Sequence, residues 1–410
     1  MTAAQLVLDP SQERAVDLVC SEPFGIVTGG PGTGKSTCLR IALDRLDARG
    51  VRYELASPTG KAAKRLNETT GRRARTIHRL LEYHPARGFQ RNRKARLETD
   101  LVVIDESSMV DTELAAALLQ AIDPDRTRCI LIGDADQLPP VGPGRLFGDL
   151  VDGGRVPLVR LDTLHRSALE SWIHVSAQQM LRGELPDLTR RPDFVWVECN
   201  DPAMILPKVR RLVTEVFPTK IDATAQVLIP QRPGVAGIDA ANNVLQDAVN
   251  PRAEHAPYVP RDKWELRLGD RVIQTRNDYA LEVFNGEIGD VLDIVSGKVI
   301  VQFAGHPAPS EYTLEQAGAL QLAYALTVHR AQGSEFPWVI AVVHSTHSFI
   351  LTRQLVYTGI TRAKAGVILV GDMKGLRYAL SDRKPPHRNT TLLERMSGAL
   401  ETANDNEEAS

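Results

Sequence analysis

Apolar-rich runs of strand length alternate with helix-period segments over the first 165 residues. The runs at 24–27, 51–56, 101–104 and 129–132 are each too short for a helix, and each ends at polar or glycine residues. Between them, STCLRIALDRL (36–46), KAAKRL (61–66) and TELAAALLQAI (112–122) carry the three-to-four-residue apolar spacing of helices packed on one face. This alternation predicts an α/β domain over residues 1–165, built on a mostly parallel sheet with helices on both faces. Ligands should collect at the carboxyl ends of its strands. The segment 83–98 breaks the pattern and is expected to form a short basic hairpin. A second α/β domain is predicted from further strands at 226–229, 338–343 and 367–370. Within it, DRVIQT, EIGDVLDIV and KVIVQFA are separated by Asn-Gly and Ser-Gly turns, the signature of a small antiparallel barrel. The expected layout is 1–165, then 166–263 and 319–396 as two parts of one domain, with 264–318 inserted and 397–410 as a disordered acidic tail.

The run at 24–27 leads into GGPGTGKST (29–37) and a helix. Gly29, Gly30, Gly32 and Gly34 let the backbone turn its N–H groups inward around phosphate oxygens. Gly30, Pro31, Gly32, Thr33, Gly34, Lys35, Ser36 and Thr37 are therefore candidate nucleotide contacts. In a loop of this spacing Lys35 reaches the β- and γ-phosphates, and the Ser36 hydroxyl holds magnesium. The strand at 101–104 delivers Asp105 and Glu106 together. Asp105 suits the metal, directly or through water, and Glu106 suits the positioning of the water that attacks the γ-phosphate. ATP and Mg2+ are the implied cofactors. A helix-capping role is the bland alternative for the two acids.

Composition adds less. Net charge is −2, which excludes a globally basic nucleic-acid binder, but residues 72–96 hold nine Lys/Arg against one acid, Glu82. That bias beside a nucleotide loop favours a polyanion over a merely solvated face. Four scattered cysteines form neither a close metal-ligand pair nor a disulfide framework. No run spans a membrane and no leader pattern opens the chain, so a cytoplasmic, membrane-free protein is expected.

Other groups suit a nucleic-acid backbone. Pro58, Thr59, Gly60 and Lys61 follow a strand and open a helix, where hydroxyl, N–H and ammonium groups can hold phosphates. Thr327, His329 and Gln332 form a second such cluster, and Arg91 and Arg93 lie in the basic segment. His78 and Tyr83 are candidates for stacking, whereas Trp172 and Trp338 read equally well as core. Arg166 and Arg362 are candidates for closing a second domain on the γ-phosphate, with an ordinary surface arginine as the alternative for either.

Taken together, these segments resemble the superfamily 1 helicases, most closely the RecD/RecD2-like branch of 5′→3′ DNA helicases. Beyond GGPGTGKST, the matching motifs are ASPTGKAAKRL (56–66), TIHRLL (76–81), DESSMVD (105–111), GDADQLPPVGPG (133–144), LTVHRAQGSEF (326–336) and VYTGITRAKAGVILVG (356–371). The resemblance implies two RecA-like domains of the P-loop NTPase class, with a hairpin insertion in the first and an SH3-like barrel in the second. It implies adenine recognition by Gln12 in LDPSQERAV, and γ-phosphate sensing linked to the DNA cleft by Asp134 and Gln137. It also implies nucleotide contacts from Gly333 and Arg362, and DNA contacts from Pro139 and Val141. GFQRNRKARLETD resembles the family's strand-parting pin, and LGDRVIQTRNDYALEVFNGEIG resembles the start of the SH3-like subdomain. GIDAANNVLQDAVNP resembles the family segment GxxxLNxxLQxxxNP, with Ala241 in place of the usual leucine.

Two departures stand out. The usual Phe-Arg-Gln is here His165-Arg166-Ser167, so Arg166 keeps its place without the glutamine. The chain also begins almost at Gln12, which suggests a compact core without the long N-terminal region, a nuclease or a relaxase, as in a small stand-alone or phage protein. The implied function is a monomeric, ATP-driven DNA helicase acting on single strands and single/double-strand junctions. A translocase without strand separation and a nucleotide-switched DNA-binding module are the alternatives, and RNA is disfavoured only by the resemblance. A partner such as a single-stranded-DNA-binding protein is left unassigned.

Overall fold

The computed structural model describes residues 8–162, 171–216, 225–278, 280–381, 388, 390–396 and 398. Its contacts divide the chain into two units, Met1–Ala168 with Pro385–Ser410, and Leu169–Lys384. The expected boundary at 165/166, Arg166 itself and nearly all of the tail 397–410 lie outside the described residues.

The first unit is built on a six-stranded parallel sheet. Its strands are β1 (Phe24–Gly29), β2 (Tyr53–Ser57), β3 (Ala74–Thr76), β6 (Leu101–Ile104), β7 (Arg128–Gly133) and β8 (Leu158–Leu161), in the order β3-β2-β6-β7-β1-β8. Both faces are covered, which explains the unbroken apolar runs. Val27, Leu101, Val103, Ile130 and Ile132 face one core, formed with the helices Pro10–Ser21 and Lys35–Ala48. Their neighbours Ile26, Val102, Ile104, Cys129 and Leu131 face the other, with the helices Thr112–Ala121 and Leu146–Gly153. The expected hairpin is present as β4 (Tyr83–His84) paired with β5 (Gly88–Phe89).

The second unit carries a five-stranded parallel sheet and an antiparallel insertion. The strands are β9 (Phe194–Glu198), β10 (Ala225–Ile229), β18 (Ala325–Thr327), β19 (Phe336–Val343) and β20 (Ala363–Gly371), ordered β18-β10-β19-β20-β9. The insertion begins with the ribbon β11 (Tyr258–Pro260) and β12 (Glu265–Arg267). Its five-stranded sheet comes next, from β13 (Arg271–Gln274), β14 (Ile288–Val295), β15 (Lys298–Phe303), β16 (Ser310–Thr313) and β17 (Leu320–Leu322), ordered β16-β15-β14-β13-β17. Here one face suffices: along β15, Val299, Val301 and Phe303 are buried and the residues between them are not. The chain is thus α/β, two RecA-like parallel-sheet domains with a hairpin in the first and an SH3-like antiparallel insertion in the second.

The sequence pattern predicts a second domain running to residue 396. Arg388, Thr390 and the helix Leu392–Met396 instead pack within the first unit, where Leu392 and Met396 join the core beneath β6 and β7.

The segment GIDAANNVLQDAVNP forms the helix Ile238–Val249 with its flanks, and its polar residues explain themselves structurally. Asn242 donates to the Ala325 carbonyl at 3.1 Å and accepts from the Ala325 N–H at 2.9 Å, completing the open side of edge strand β18. Asp270, at the start of the inserted sheet, is fully buried. One of its oxygens accepts from Gln246 and the Arg267 N–H, each at 2.6 Å. The other accepts from Asn250 and the Tyr324 hydroxyl, each at 2.8 Å. Burial raises the Asp270 carboxyl even so, with all four bonds pulling it back only in part. Ala241, the departure from the family segment, is wholly buried in the same core.

Removing either partner strands buried polar groups. Asn242→Ala and Tyr324→Phe should each cost about 1–3 kcal/mol in urea unfolding, with Asn250→Ala, at a more exposed donor, costing less. Unchanged unfolding midpoints for the first two would show that these bonds hold neither the edge strand nor the insertion.

Candidate functional site

Four adjacent strands of the first sheet end in polar loops on the same side. β1 leads into 29–37, β6 into Asp105 and Glu106, β7 into Asp134 and Gln137, and β2 into Pro58, Thr59, Gly60 and Lys61. Register ties the loops together. The Asp105 N–H donates to the Ala56 carbonyl at 2.9 Å, and the Ala135 N–H to the Thr28 hydroxyl at 3.2 Å.

In the loop 29–37, Gly32 and Gly34 have φ of 76° and 89°, the left-handed region that glycine tolerates. Gly29 is fixed by space, since a Cβ there would meet the Thr33 hydroxyl at 2.7 Å and the Leu161 carbonyl at 2.8 Å. Lys35 folds back over the loop and donates to the carbonyls of Gly29 (2.5 Å) and Gly30 (2.9 Å). It opens the helix Lys35–Ala48, whose N-cap Gly34 supplies no side-chain acceptor. The first N–H groups are thus left to a ligand, and the helix dipole favours an anion there. Ser36 is exposed on this first turn, with Thr37 half-buried beside it. Gln12 is buried and its amide is used at both ends. It donates to the Thr33 carbonyl at 3.3 Å and accepts from the Asp9 N–H at 3.2 Å, closing the capping box of its own helix.

Asp105 and Glu106 follow β6 directly. Burial pushes the Asp105 carboxyl up to about 6, neighbouring Glu106 adds to the rise, and Lys35 and Arg65 oppose it. Glu106 has φ 54° and ψ 39°, a strained backbone for a residue with a side chain. The Asp134 carboxylate is buried and accepts from the Gln137 amide at 3.1 Å, while the Gln137 amide oxygen is buried with no hydrogen-bond partner among the described residues. These groups fit magnesium. The donors are oxygens, and a carboxylate whose charge burial penalises gains from a cation. Among the described residues no trio of His, Cys, Asp or Glu forms a metal cluster. One carboxylate and one hydroxyl are consistent with Mg2+ shared with phosphates and water.

The remaining sequence candidates fall into place unevenly. Thr59 caps the helix Gly60–Thr70, accepting from the Ala62 N–H at 3.2 Å. Pro139 is half-buried, whereas Val141 stands 82% exposed. His78 packs on Tyr83 and Phe89 at ring distances of 5.5 and 5.7 Å, and burial lowers its pKa, so it supports the hairpin as a neutral ring. In the second unit, the segment 327–336 runs from the carboxyl end of β18 to the amino end of β19. Thr327 and His329 lie at its start, with Gln332 and Gly333 buried further along. Arg362 is buried just before β20, with Nε on the Thr358 carbonyl (3.1 Å) and Nη1 on the Ser334 carbonyl (3.4 Å). Gly333 and Arg362 are therefore neighbours.

The basic cluster is smaller than its sequence suggests. Arg72 is held by Asp44, Asp47 and Tyr53, Arg75 by Glu54, Arg91 by Glu82 and Arg96 by Asp123. Arg73, Arg79, Arg87, Arg93 and Lys94 remain exposed without a carboxylate partner among the described residues. Sequence reasoning counts all nine cations because most of the paired acids lie elsewhere in the chain. It also misses Thr28 and Arg388, which no local motif marks.

Known proteins match along most of the chain. Family models described as an AAA domain, the SH3 domain of ATP-dependent RecD-like DNA helicases and a UvrD-like helicase C-terminal domain match residues 7–201, 241–303 and 322–370. The ATP-dependent RecD2 DNA helicase of Deinococcus radiodurans is 39% identical over 390 residues, covering 95% of this chain and 52% of that protein. This chain thus spans about half the length of that relative. The RecD subunit of the RecBCD enzyme from Mycobacterium tuberculosis is 33% identical, covering 91% of this chain and 71% of the relative. Among solved structures, Bacteroides Pif1 bound to single-stranded DNA aligns with a TM-score of 0.58 at 17% identity, covering 96% of this chain and 98% of that one. Pif1 helicase from Candida albicans aligns at 0.57 and 19%, covering 97% and 99%. At such identities these two establish the shared fold alone. On the sequence identity to RecD across most of both chains, this protein belongs to the RecD/RecD2-like family of superfamily 1B DNA helicases.

Proposed function

We propose that the chain is a DNA-stimulated ATPase that moves 5′→3′ along single-stranded DNA and unwinds duplex at a single/double-strand junction. The observation that carries this reading is the convergence of a phosphate loop, an acidic pair and a buried Asp134–Gln137 pair on adjacent strand ends of one sheet. Family membership supplies the polymer and the polarity. Lys35 exchanges its two backbone carbonyls for β- and γ-phosphate oxygens when ATP enters. Glu106 orients the attacking water, and Gln137 turns its unpartnered amide oxygen to accept a hydrogen bond from that water. Ser36 and Asp105 would hold magnesium, which when bound would neutralise developing phosphate charge. Gln12 reads the adenine edge by giving up part of its internal hydrogen bonding, and Arg166, Arg362 and Gly333 are γ-phosphate groups. Pro58, Thr59, Gly60, Lys61, Pro139, Val141, Thr327, His329 and Gln332 grip the strand. The hairpin, with Arg87 in its turn and Arg93 in the exposed turn that follows, parts the duplex. Among the described residues no helix is long and apolar enough to cross a membrane. A cytoplasmic monomer is the arrangement we favour.

Lys35→Ala should abolish ATP turnover while leaving DNA binding appreciable. Glu106→Gln should lower kcat by about 10²–10⁴-fold with ATP and DNA affinity retained. Full turnover in either would remove that residue from the chemistry. Unwinding of matched substrates with one 5′ or one 3′ single-stranded tail checks polarity, and preference for the 3′ tail would overturn it. Unwinding of neither, with DNA-stimulated turnover intact, would favour a translocase. The charge pairing makes a further prediction. Neutralising Arg93 and Lys94 together should flatten the dependence of log affinity on log salt by about 1.4 for single strands. Arg72→Ala should leave that slope unchanged, because its charge is already spent on Asp44 and Asp47.

A further inference from the structure

The loop 138–145 after β7 is held from beneath by a residue far along the chain. Arg388 directs its guanidinium at three backbone carbonyls of that loop. Nη1 donates to Gly142 at 2.6 Å and to Gly144 at 2.7 Å, and Nη2 donates to Pro140 at 2.7 Å. These are charge-assisted bonds in the planar fork that only arginine offers. Every second carbonyl from 140 to 144 is thereby turned toward one cation, while Val141 between the first two is left 82% exposed. The loop has little freedom of its own. The Thr112 N–H donates to the Pro143 carbonyl at 2.9 Å, and Gly144 has φ 86°.

Arg388 is itself anchored by the residues C-terminal to it. The Thr390 hydroxyl donates to the buried Asp149 carboxylate at 2.6 Å. Leu392 and Met396 then line an apolar cavity of about 210 Å³ with Phe24, Leu118, Leu131 and Leu150. Arg155 closes the end of the segment by donating to the Met396 carbonyl at 3.1 Å. The segment 388–396 is therefore a strap fixed by charge, hydroxyl and apolar contacts in turn, and its charged end lies under the loop that carries Pro139 and Val141.

We propose that Arg388 is a positioning residue for DNA engagement. It holds the loop 138–145 in the one shape that presents Val141 to the strand, without touching DNA or nucleotide itself. The proposal rests on the reading of this loop as a DNA contact. In the chain the strap follows the second unit, which ends at Lys384, and belongs to the first.

The test uses the full chain and a dT oligonucleotide. Basal ATP turnover, KM for ATP, the oligonucleotide concentration giving half-maximal ATPase stimulation, and oligonucleotide affinity by anisotropy are measured for Arg388→Ala, Arg388→Lys and Val141→Ser. Arg388→Ala should raise the half-maximal concentration at least about fivefold, with basal turnover and KM for ATP within twofold of the parent. Arg388→Lys, which keeps the charge but not the fork, should recover part of the loss. An unchanged DNA response in Arg388→Ala beside a weakened one in Val141→Ser would overturn the positioning role and leave the loop's DNA contact standing. No change in either would overturn both. Equal losses of basal turnover and DNA response would mark Arg388 as a general stabiliser and also overturn the proposal. Should Arg388→Ala fail to fold, the Lys variant alone decides: a parent-like DNA response from it, with one ammonium in place of the fork, counts against the proposal.

Discussion

A strand covered on both faces carries a polar side chain only where a hydrogen-bond partner meets it, as the Ala135 N–H meets Thr28 at the end of β1. That constraint organises the first unit. Successive residues of β1, β6 and β7 point into two different apolar cores, so chemistry is excluded from their length and concentrated at their ends. Because the strands are parallel and in register, the ends arrive side by side. Gly29, Asp105 and Asp134 each stand at or just beyond the last buried residue of neighbouring strands. The site needs no separate scaffold, since the hydrogen bonds that pair the strands also set the spacing of the loops.

The same constraint explains what could be read from the chain. Apolar runs ending in GGPGTGKST or in Asp105-Glu106 announce both the element and the chemistry, because strand burial and loop function are encoded by contiguous residues. β3 escapes such a reading, for Ala74–Thr76 is three residues long, has an arginine at its centre and follows two more. The basic cluster is legible as composition and misleading as charge. Most of the acids that hold Arg72, Arg75 and Arg96 come from other parts of the chain, and only the fold brings them together. The family segment around Asn242, Gln246 and Asn250 is recognisable in sequence without being intelligible there. Its meaning lies in Ala325 and Asp270, each at least twenty residues away.

Asp270 and Asn242 also clarify how an inserted sheet can be more than an appendage. One carboxylate collects donors from the helix Ile238–Val249, from the insertion's own backbone and from Tyr324 just before β18. One amide fastens the same helix to the edge of β18. The insertion, the helix and the strand leading into 327–336 therefore share buried polar bonds that none can satisfy alone. The inserted sheet and the strand that leads to Thr327, His329 and Gln332 are thus fastened to the same helix.

Glu106 shows what the first unit gives up for its site. At φ 54° a glycine would sit without strain, and the glutamate costs on the order of 1 kcal/mol more. Glu82 and Glu282 take the same left-handed backbone, at φ 52° and 54°, so this cost is one the fold also carries elsewhere. A variant library ranked purely by thermal resistance would drift toward glycine at Glu106 and discard its carboxylate.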